Sequence, residues 1–342
     1  MTYALIGSYT EPGMGEGPGV SRLELAYDGL LGAVQRVSTG LRNPSFLALA
    51  GDALFAVEEL ADGQLATLDP ETLELRRRTP TLGSDPCHVV VRGGSVLAAN
   101  YSTGTTAVVG TADTPATEDG AEAAAAYVLE HQGSGPVADR QESSHAHQVT
   151  ETPWGTVLVS DLGADRVDEY ALAASGRFEL LRSAELPPGA GPRHVALLGD
   201  VLLVAGELDA HLHVLRLTDE LWLWQRRVPL VDPANPAFDP ARESYPSHIE
   251  LGPDGIKLYA AIRGTNTLAV FDVTAPETPR LIVEGPCGGN WPRHFAIGDN
   301  KLYVANQLSN NIAVFALDAN GLPGTYPVQT VDFGSPACIL LG

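Results

Sequence analysis

"GPRHVALLGDVLLVAGELDAHLHVLRL", residues 191–217, holds three short apolar runs separated by polar punctuation. Pro192 opens the first run, Gly199-Asp200 separates it from the second, and "GELDA" separates the second from the third. Runs of four to eight apolar residues joined by Gly/Asp pairs of tight-hairpin type read as antiparallel strands.

The same unit recurs along the chain. A proline-containing opening into an apolar strand stands at "NPSFL" (43), "DPCHV" (85), "HAHQV" (145), "GPRHV" (191), "YPSHI" (245), "WPRHF" (291) and "SPACI" (335). With the fourth residue of each opening in register, and the third copy set on its second histidine through "AHQV", the column reads Phe46, His88, His147, His194, His248, His294 and Cys338. Each opening leads through a turn to a second strand, as in "GGSVLAANY", "PDGIKLYAAIRG" and "GDNKLYVANQ", then to a third ("TTAVVG", "TLAVFDV", "NIAVFAL") and a more polar fourth. Four-stranded meanders repeating every 42 to 59 residues predict an all-β fold, a seven-bladed β-propeller occupying residues 1–342 as one domain.

The seventh copy stops at "SPACILLG" with one strand made, and three unassigned strands stand at the other end, in "TYALIGSYT", "GVSRLELAYDG" and "LLGAVQRVST". The last blade is therefore expected to close with one C-terminal and three N-terminal strands, pairing residues near Ala337–Leu341 with residues near Tyr3–Gly7. Closure of this kind removes the open edges that invite aggregation. One segment, "EDGAEAAAAYVLEHQ" (118–132), tempts a helix assignment, but its neighbours favour a surface loop or an irregular strand. The two longest spacings, 59 and 54 residues, place extra chain in 107–144 and 229–245, ahead of the third and fifth openings. Loops so placed gate a site or are ornamental.

Composition narrows the functional classes. A net charge of -21 repels nucleic-acid backbones and anionic membrane surfaces, so neither is an expected partner. Three cysteines, Cys87, Cys287 and Cys338, show no C-x-x-C spacing and leave one over, which argues against a disulfide framework or a thiolate zinc site. With no basic region leading into a long apolar core at the N-terminus, a soluble protein of the reducing cytoplasm is expected.

In a propeller the first strand of each blade lines the central channel, and the start of strand one lies on the same face as the end of strand two. His88, His147, His194, His248 and His294 are thus expected to ring one mouth, together with the strand-two ends Asn100, Asp161, Glu207, Arg263 and Asn306. Arg193 and Arg293, each one residue before a histidine, join that rim. Repeated histidines can also be architectural, each tying a strand opening to a neighbouring blade. The strand-two ends resist that reading because they differ from blade to blade, and variation at a shared geometric position marks a site. His145 and His147 share one face of a strand, but His145 would hold the place that proline holds in the other copies, so the two are expected to do different jobs: His147 chemistry, His145 rim contact or simple replacement of proline.

"GSGPVADRQESSHAHQV", "SDLGADRVDEY", "GPRHVAL", "AAIRGTNTLAVFDV", "GGNWPRHFAIGDNKLYVANQLSNNIAVFALD" and "NPSFLAL" together resemble the lactonase family of seven-bladed propellers, which includes the propeller type of 6-phosphogluconolactonase and the fungal carboxymuconate cyclase. The resemblance runs from residue 2 to residue 341. It implies a site in the channel mouth that needs neither metal nor cofactor, with His147, Arg193, Glu207 and Arg263 acting on a small anionic lactone, whose charged group the arginines would hold. His88, Asn100, His145, Asp161, His194, His248, Arg293, His294 and Asn306 would line the substrate. "AGEL" and "AIRG" depart from the common family forms, in which an Asn often precedes the Glu or Arg. In that frame His147 is the natural base, since imidazole titrates near neutrality. The arginines hold an oxyanion or a substrate carboxylate or phosphate, and Glu207 either orients its neighbours or forms a structural ion pair. A muconate-type cyclase and a non-catalytic binding propeller are the competing readings.

Overall fold

The computed structural model describes residues 2–111, 126–235 and 243–342. Among these residues the regular structure is all strand, arranged as seven four-stranded antiparallel blades. Their first strands contact one another in succession around a ring, which makes a seven-bladed propeller. We number the blades from the N-terminus.

Blade 1 is the closing blade. Its innermost strand is Pro336–Leu341, and strands Tyr3–Ser8, Ser21–Leu25 and Leu31–Val37 follow outward. Ala4 pairs with Leu341, Leu5 with Leu340 and Ile6 with Ile339, as the split seventh repeat requires. Blade 5, formed by the stretch that opened the sequence reading, runs Pro192–Leu198, Val201–Gly206, His211–Thr218 and Leu221–Pro229. Every residue of Val201–Gly206 is buried, whereas the outermost strand Leu221–Pro229 is mostly exposed. The difference follows from stacking: an inner strand is covered on both faces by neighbouring blades and so reads as a continuous apolar run.

The core is correspondingly divided into interfaces between adjacent blades. Leu203, Leu212 and Val214 of blade 5 pack with Leu258, Ile262 and Phe271 of blade 6. Ile6 and Leu23 of blade 1 pack with Tyr303 and Val314 of blade 7, so the closing blade buries its faces like any other. Each fully buried leucine contributes on the order of 1.5–3 kcal/mol, and no blade has a core of its own. The hairpin turns match their sequence chemistry, with Gly51, Gly93 and Gly199 left-handed and Asp299-Asn300 left-handed at both positions.

Of the helix-like segment, Tyr127–Glu130 is the fourth strand of blade 3, and residues 118–125 lie outside the described residues. So do 112–125 and 236–242 of the two long insertions. Among the described residues no helix is long and apolar enough to cross a membrane.

One irregularity recurs at a single place. Each channel-lining strand carries a one-residue register shift at its opening, between Pro44 and Phe46, Pro86 and His88, Ala146 and Gln148, Pro192 and Val195, Pro246 and His248, Pro292 and His294, and Pro336 and Cys338. A bulge of this kind leaves one residue unpaired and re-aims a side chain. Here it separates the residues of the mouth from those that fill the channel.

Candidate active site

The pairing register assigns each side chain to a layer. Pro86 pairs with Asn100, Pro292 with Asn306, and in blade 4 it is Ala146, not His145, that pairs with the equivalent Asp161. Ala146 therefore takes the place of proline. His147 moves into the column of Ser45, Cys87, Arg193, Ser247, Arg293 and Ala337, and Gln148 takes the place expected for His147 in the histidine column. This corrects the sequence register by one residue. Main-chain bonds repeat the same frame: the amides of Glu59, Tyr101, Leu162, Glu207 and Gln307 donate to the carbonyls of Asn43, Asp85, His145, Gly191 and Trp291.

The corrected histidine column, His88, Gln148, His194, His248 and His294 with Phe46, lies one layer below the mouth and fills the channel. Phe46 and His88 have ring centroids 4.1 Å apart, as do His248 and His294, and His194 stands edge-on to His248 at 5.0 Å. Each member ties two blades together. Gln148 Oε1 accepts the Val195 amide at 2.6 Å, His88 Nδ1 the Val149 amide at 3.5 Å, and His294 Nδ1 the Ile339 amide at 3.4 Å. His194 and His248 share a 2.8 Å hydrogen bond between their Nδ1 atoms. Burial, followed by the positive charge of nearby Arg193, brings His248 down to about 3. Burial first, then neighbouring charge, also holds His88, His194 and His294 well below the usual imidazole range. The layer is neutral and structural in its bonding, the architectural alternative in a modified form: the blade-to-blade acceptor is the side chain, and the donor is a main-chain amide.

Above it lies the mouth layer, built by the column of His147 and the residues that follow the strand-two ends. Glu207 is its centre. Arg193 Nε lies 2.8 Å and Arg263 Nη2 2.7 Å from Glu207 Oε2, while Arg140 Nη2 donates to Oε1 at 2.6 Å. Burial alone would raise the Glu207 carboxyl, but Arg263 and Arg193, with His147 and Arg140, hold it well below the usual carboxylate range. Arg193 is 4% exposed, and among the described residues its Nη1 has no hydrogen-bond partner. Burial brings Arg193 down to about 9, so it stays cationic at neutral pH. Burial, then Arg193, also depresses His147 well below its ordinary value, leaving a neutral imidazole within a field of guanidinium groups. Its Nδ1 lies 3.8 Å from Cys87 Sγ. Burial pushes the Cys87 thiol far up, so that sulfur is not a thiolate nucleophile. The structure thus brings His147, Arg193, Glu207 and Arg263 into one buried cluster.

The remaining candidates divide. His145 sits at the rim, stacked on Tyr101 at 4.6 Å with Nδ1 2.9 Å from the Tyr101 carbonyl. Arg293 stands in the mouth column over the Tyr9 ring, 4.8 Å from its centroid. Asn100, Asp161 and Asn306 do not share the register of Glu207 and Arg263. They pair with Pro86, Ala146 and Pro292, one residue earlier, and their side chains bind local backbone: Asn100 Nδ2 donates to the Thr81 carbonyl, Asn306 Nδ2 to that of Cys287, and Asp161 Oδ1 accepts the amides of His145, Gly163 and Ala164. The strand-two positions that do reach the mouth are Tyr9, Glu59, Tyr101, Leu162, Glu207, Arg263 and Gln307. Of these, sequence reasoning missed Tyr9, Glu59, Tyr101 and Gln307, and it missed Cys87 and Arg140 as well. The apolar residue after each opening was the available signal: aligning Val149 with Val89 and Val195 puts Gln148, not His147, beside the histidines. Arg140 had no repeat to reveal it, because it belongs to the insertion before the third opening, whose described part reaches over the mouth to Glu207.

Among the described residues no group of three or more His, Cys, Asp or Glu side chains is placed to hold a metal ion. A cavity of about 740 Å³ opens beside the mouth, sharing Arg140 and Tyr245 with its rim.

Comparison with known proteins places this geometry. A family model described as "Lactonase, 7-bladed beta-propeller" matches residues 3–341. The chain is 30% identical to the 6-phosphogluconolactonase of Bacillus subtilis over 350 aligned positions, covering 98% of this chain and 96% of that protein. Among solved structures it is similar to the periplasmic gluconolactonase of Pseudomonas aeruginosa, with TM-score 0.86, 29% identity, and coverage of 99% and 98% of the two chains. It is also similar to a protein from Lactobacillus plantarum, with TM-score 0.85 and 28% identity over 99% and 98%.

Proposed function

Because the chain belongs to the Lactonase family of seven-bladed β-propellers, we propose that it is a lactone hydrolase whose site is the mouth cluster around Glu207, acting on a sugar-acid lactone of the 6-phosphogluconolactone type. The observation that carries the reading is a neutral, buried His147 beside a cationic Arg193 whose Nη1 has no partner among the described residues.

In this scheme His147 takes a proton from a water molecule as the water oxygen attacks the lactone carbonyl. The carbonyl oxygen becomes an oxyanion, which Arg193 stabilises through its free donor. When the ring C–O bond breaks, the imidazolium returns the proton to the departing alkoxide, giving a hydroxy acid. Glu207 stays ionised throughout. It fixes the three guanidinium groups in place and offsets part of the charge that would otherwise hold His147 too weakly basic.

The substrate is anionic in this reading. Against a net charge of -21, the mouth gathers Arg140, Arg193, Arg263 and Arg293 around Glu59 and Glu207, a local excess of positive charge that would draw an anion in. A carboxylate and a phosphate both satisfy such groups. The free thiols Cys87, Cys287 and Cys338 fit a reducing compartment, and the cytoplasmic assignment rests on them. A pH-stat panel comprising 6-phosphogluconolactone, glucono-1,5-lactone and a muconolactone tests the activity. Proton release with one of them supports the hydrolase, and no turnover of any would overturn it in favour of a binding propeller.

A further inference from the structure

The proposed catalytic groups use only part of the ring. His147 comes from blade 4, Arg193 and Glu207 from blade 5, and Arg263 from blade 6. Across the mouth, blades 7, 1 and 2 contribute a second set in the same register: Arg293 and Gln307, Tyr9, and Glu59. Nothing in the hydrolytic scheme requires these four, and three of them lie at strand-two ends where a repeat has no architectural reason to place a Tyr, a Glu and a Gln in turn.

They form one connected group. The Tyr9 hydroxyl donates to Glu59 Oε2 at 2.8 Å, and among the described residues it is the hydrogen-bond partner of that carboxylate. Tyr9 is fully buried, so this bond sets the plane of the half-buried Glu59. Arg293 lies over the Tyr9 ring and donates from Nη1 to Gln307 Oε1 at 3.3 Å. Gln307 is fixed in turn by its own donation to the Met14 carbonyl at 3.0 Å. Both half-rings border one space, because their residues stand in the same two register columns at the mouth of one closed ring of channel-lining strands.

The two halves differ in charge. Three guanidinium groups face one carboxylate around Glu207, which leaves an excess positive charge suited to an oxyanion. Arg293 and Glu59 balance one another, and with Gln307 they offer donors and acceptors side by side. Such a set suits neutral hydroxyl groups, each of which donates one hydrogen bond and accepts others. A purely anionic group would meet the Glu59 carboxylate, and an alkyl group would leave all of these polar atoms without partners.

We propose that Glu59, Arg293, Gln307 and Tyr9 form a hydroxyl-reading subsite, which holds the polyol portion of a polyhydroxylated lactone while its carbonyl lies at His147 and Arg193. Glu59 accepts from a substrate hydroxyl, Arg293 donates to the same or the adjacent one, and Tyr9 is a positioning residue that acts through Glu59. The assignment of the carbonyl end rests on the lactonase reading. The polyol end rests on this second half-ring.

The test compares glucono-1,5-lactone with δ-valerolactone, which has the same ring and no hydroxyl groups, for the wild type, Glu59→Gln and Arg293→Gln. Each variant is expected to lower the ratio of kcat/KM for the hydroxylated over the plain lactone by about 10-fold or more, because a site built to bind hydroxyls discriminates through polar groups otherwise left unpaired. An unchanged ratio in both variants, whether or not the absolute rates fall, would overturn the subsite. If one variant does not fold, the other decides. If the wild type hydrolyses neither lactone, calorimetric binding of gluconate tests the subsite separately, and the lactonase reading itself fails only when 6-phosphogluconolactone and the muconolactone are not hydrolysed either. Weakening of gluconate binding by about 10-fold or more in Glu59→Gln supports the subsite, and equal affinity overturns it.

Discussion

Replacing His88 by Gln should make the protein less stable at pH 7 and more stable at pH 5. Gln148 already occupies the same column and accepts the amide of the next blade at 2.6 Å, as His88 does at 3.5 Å, so the bond is transferable. What is lost is the ring pair with Phe46 at 4.1 Å, worth roughly 1 kcal/mol. What is gained is relief from a proton-linked penalty. Burial, then the charges of His248, His294 and Arg193, keep His88 neutral in the folded state far below the pH at which it protonates when unfolded. A base with a depressed folded pKa contributes its full stability above about pH 6.5, and that stability falls as pH drops, by about 1.4 kcal/mol per unit. At pH 5 the penalty reaches about 2 kcal/mol, so the two stability curves should cross near pH 6.

The wild type carries five such imidazoles, His88, His147, His194, His248 and His294, and all five act in the same direction, lowering stability as pH falls below about 6.5. Glu250 opposes them. Burial raises its carboxyl to about 7, so it gains a proton in the folded state over this range, but its side chain is 43% exposed, and screening limits the offset to about one histidine. The histidines outnumber it, so the wild type should be markedly less stable at pH 5 than at pH 7. Urea titrations followed by tryptophan fluorescence at pH 7, 6 and 5 provide the assay. Parallel loss of stability in wild type and variant across that range would refute the argument.

His147→Ala should lower kcat by about 100-fold or more on the best lactone found, while circular dichroism stays native. Near-wild-type turnover would reassign the base. Because burial and Arg193 depress His147, it stays in its basic form well below pH 6.5, and initial rates measured before acid unfolding should show no acid limb near pH 6. Glu207→Gln should destabilise the protein by about 3–5 kcal/mol at pH 7 in urea unfolding, since Arg140, Arg193 and Arg263 would lose their shared anion. A stability change under 1 kcal/mol would show that the arginines are compensated elsewhere. Deleting residues 1–10 removes strand Tyr3–Ser8, on which Pro336–Leu341 depends for its pairing, and should abolish cooperative unfolding. A soluble, cooperatively folding product would mean that the ring closes without it.

The repeat, the blade number and the split closing blade were legible in the sequence, because they depend on local chemistry. Short apolar runs, Gly/Asp hairpins and a strand missing at one end and present at the other need only neighbours along the chain. Residue types at the mouth were legible for the same reason, and His147, Arg193, Glu207 and Arg263 do converge. Layering was not. A bulge of one residue at each strand opening decides whether a side chain looks into the mouth or down the channel, and sequence spacing alone cannot register it when "HAHQV" offers two histidines. Hence His147 stood in the wrong column, and Asn100, Asp161 and Asn306 stood beside Glu207, although their side chains bind local backbone one residue earlier. The second half-ring was also out of reach, because Tyr9, Glu59, Arg293 and Gln307 come from three blades and acquire a common purpose only when the circle closes and brings residue 9 beside residue 293.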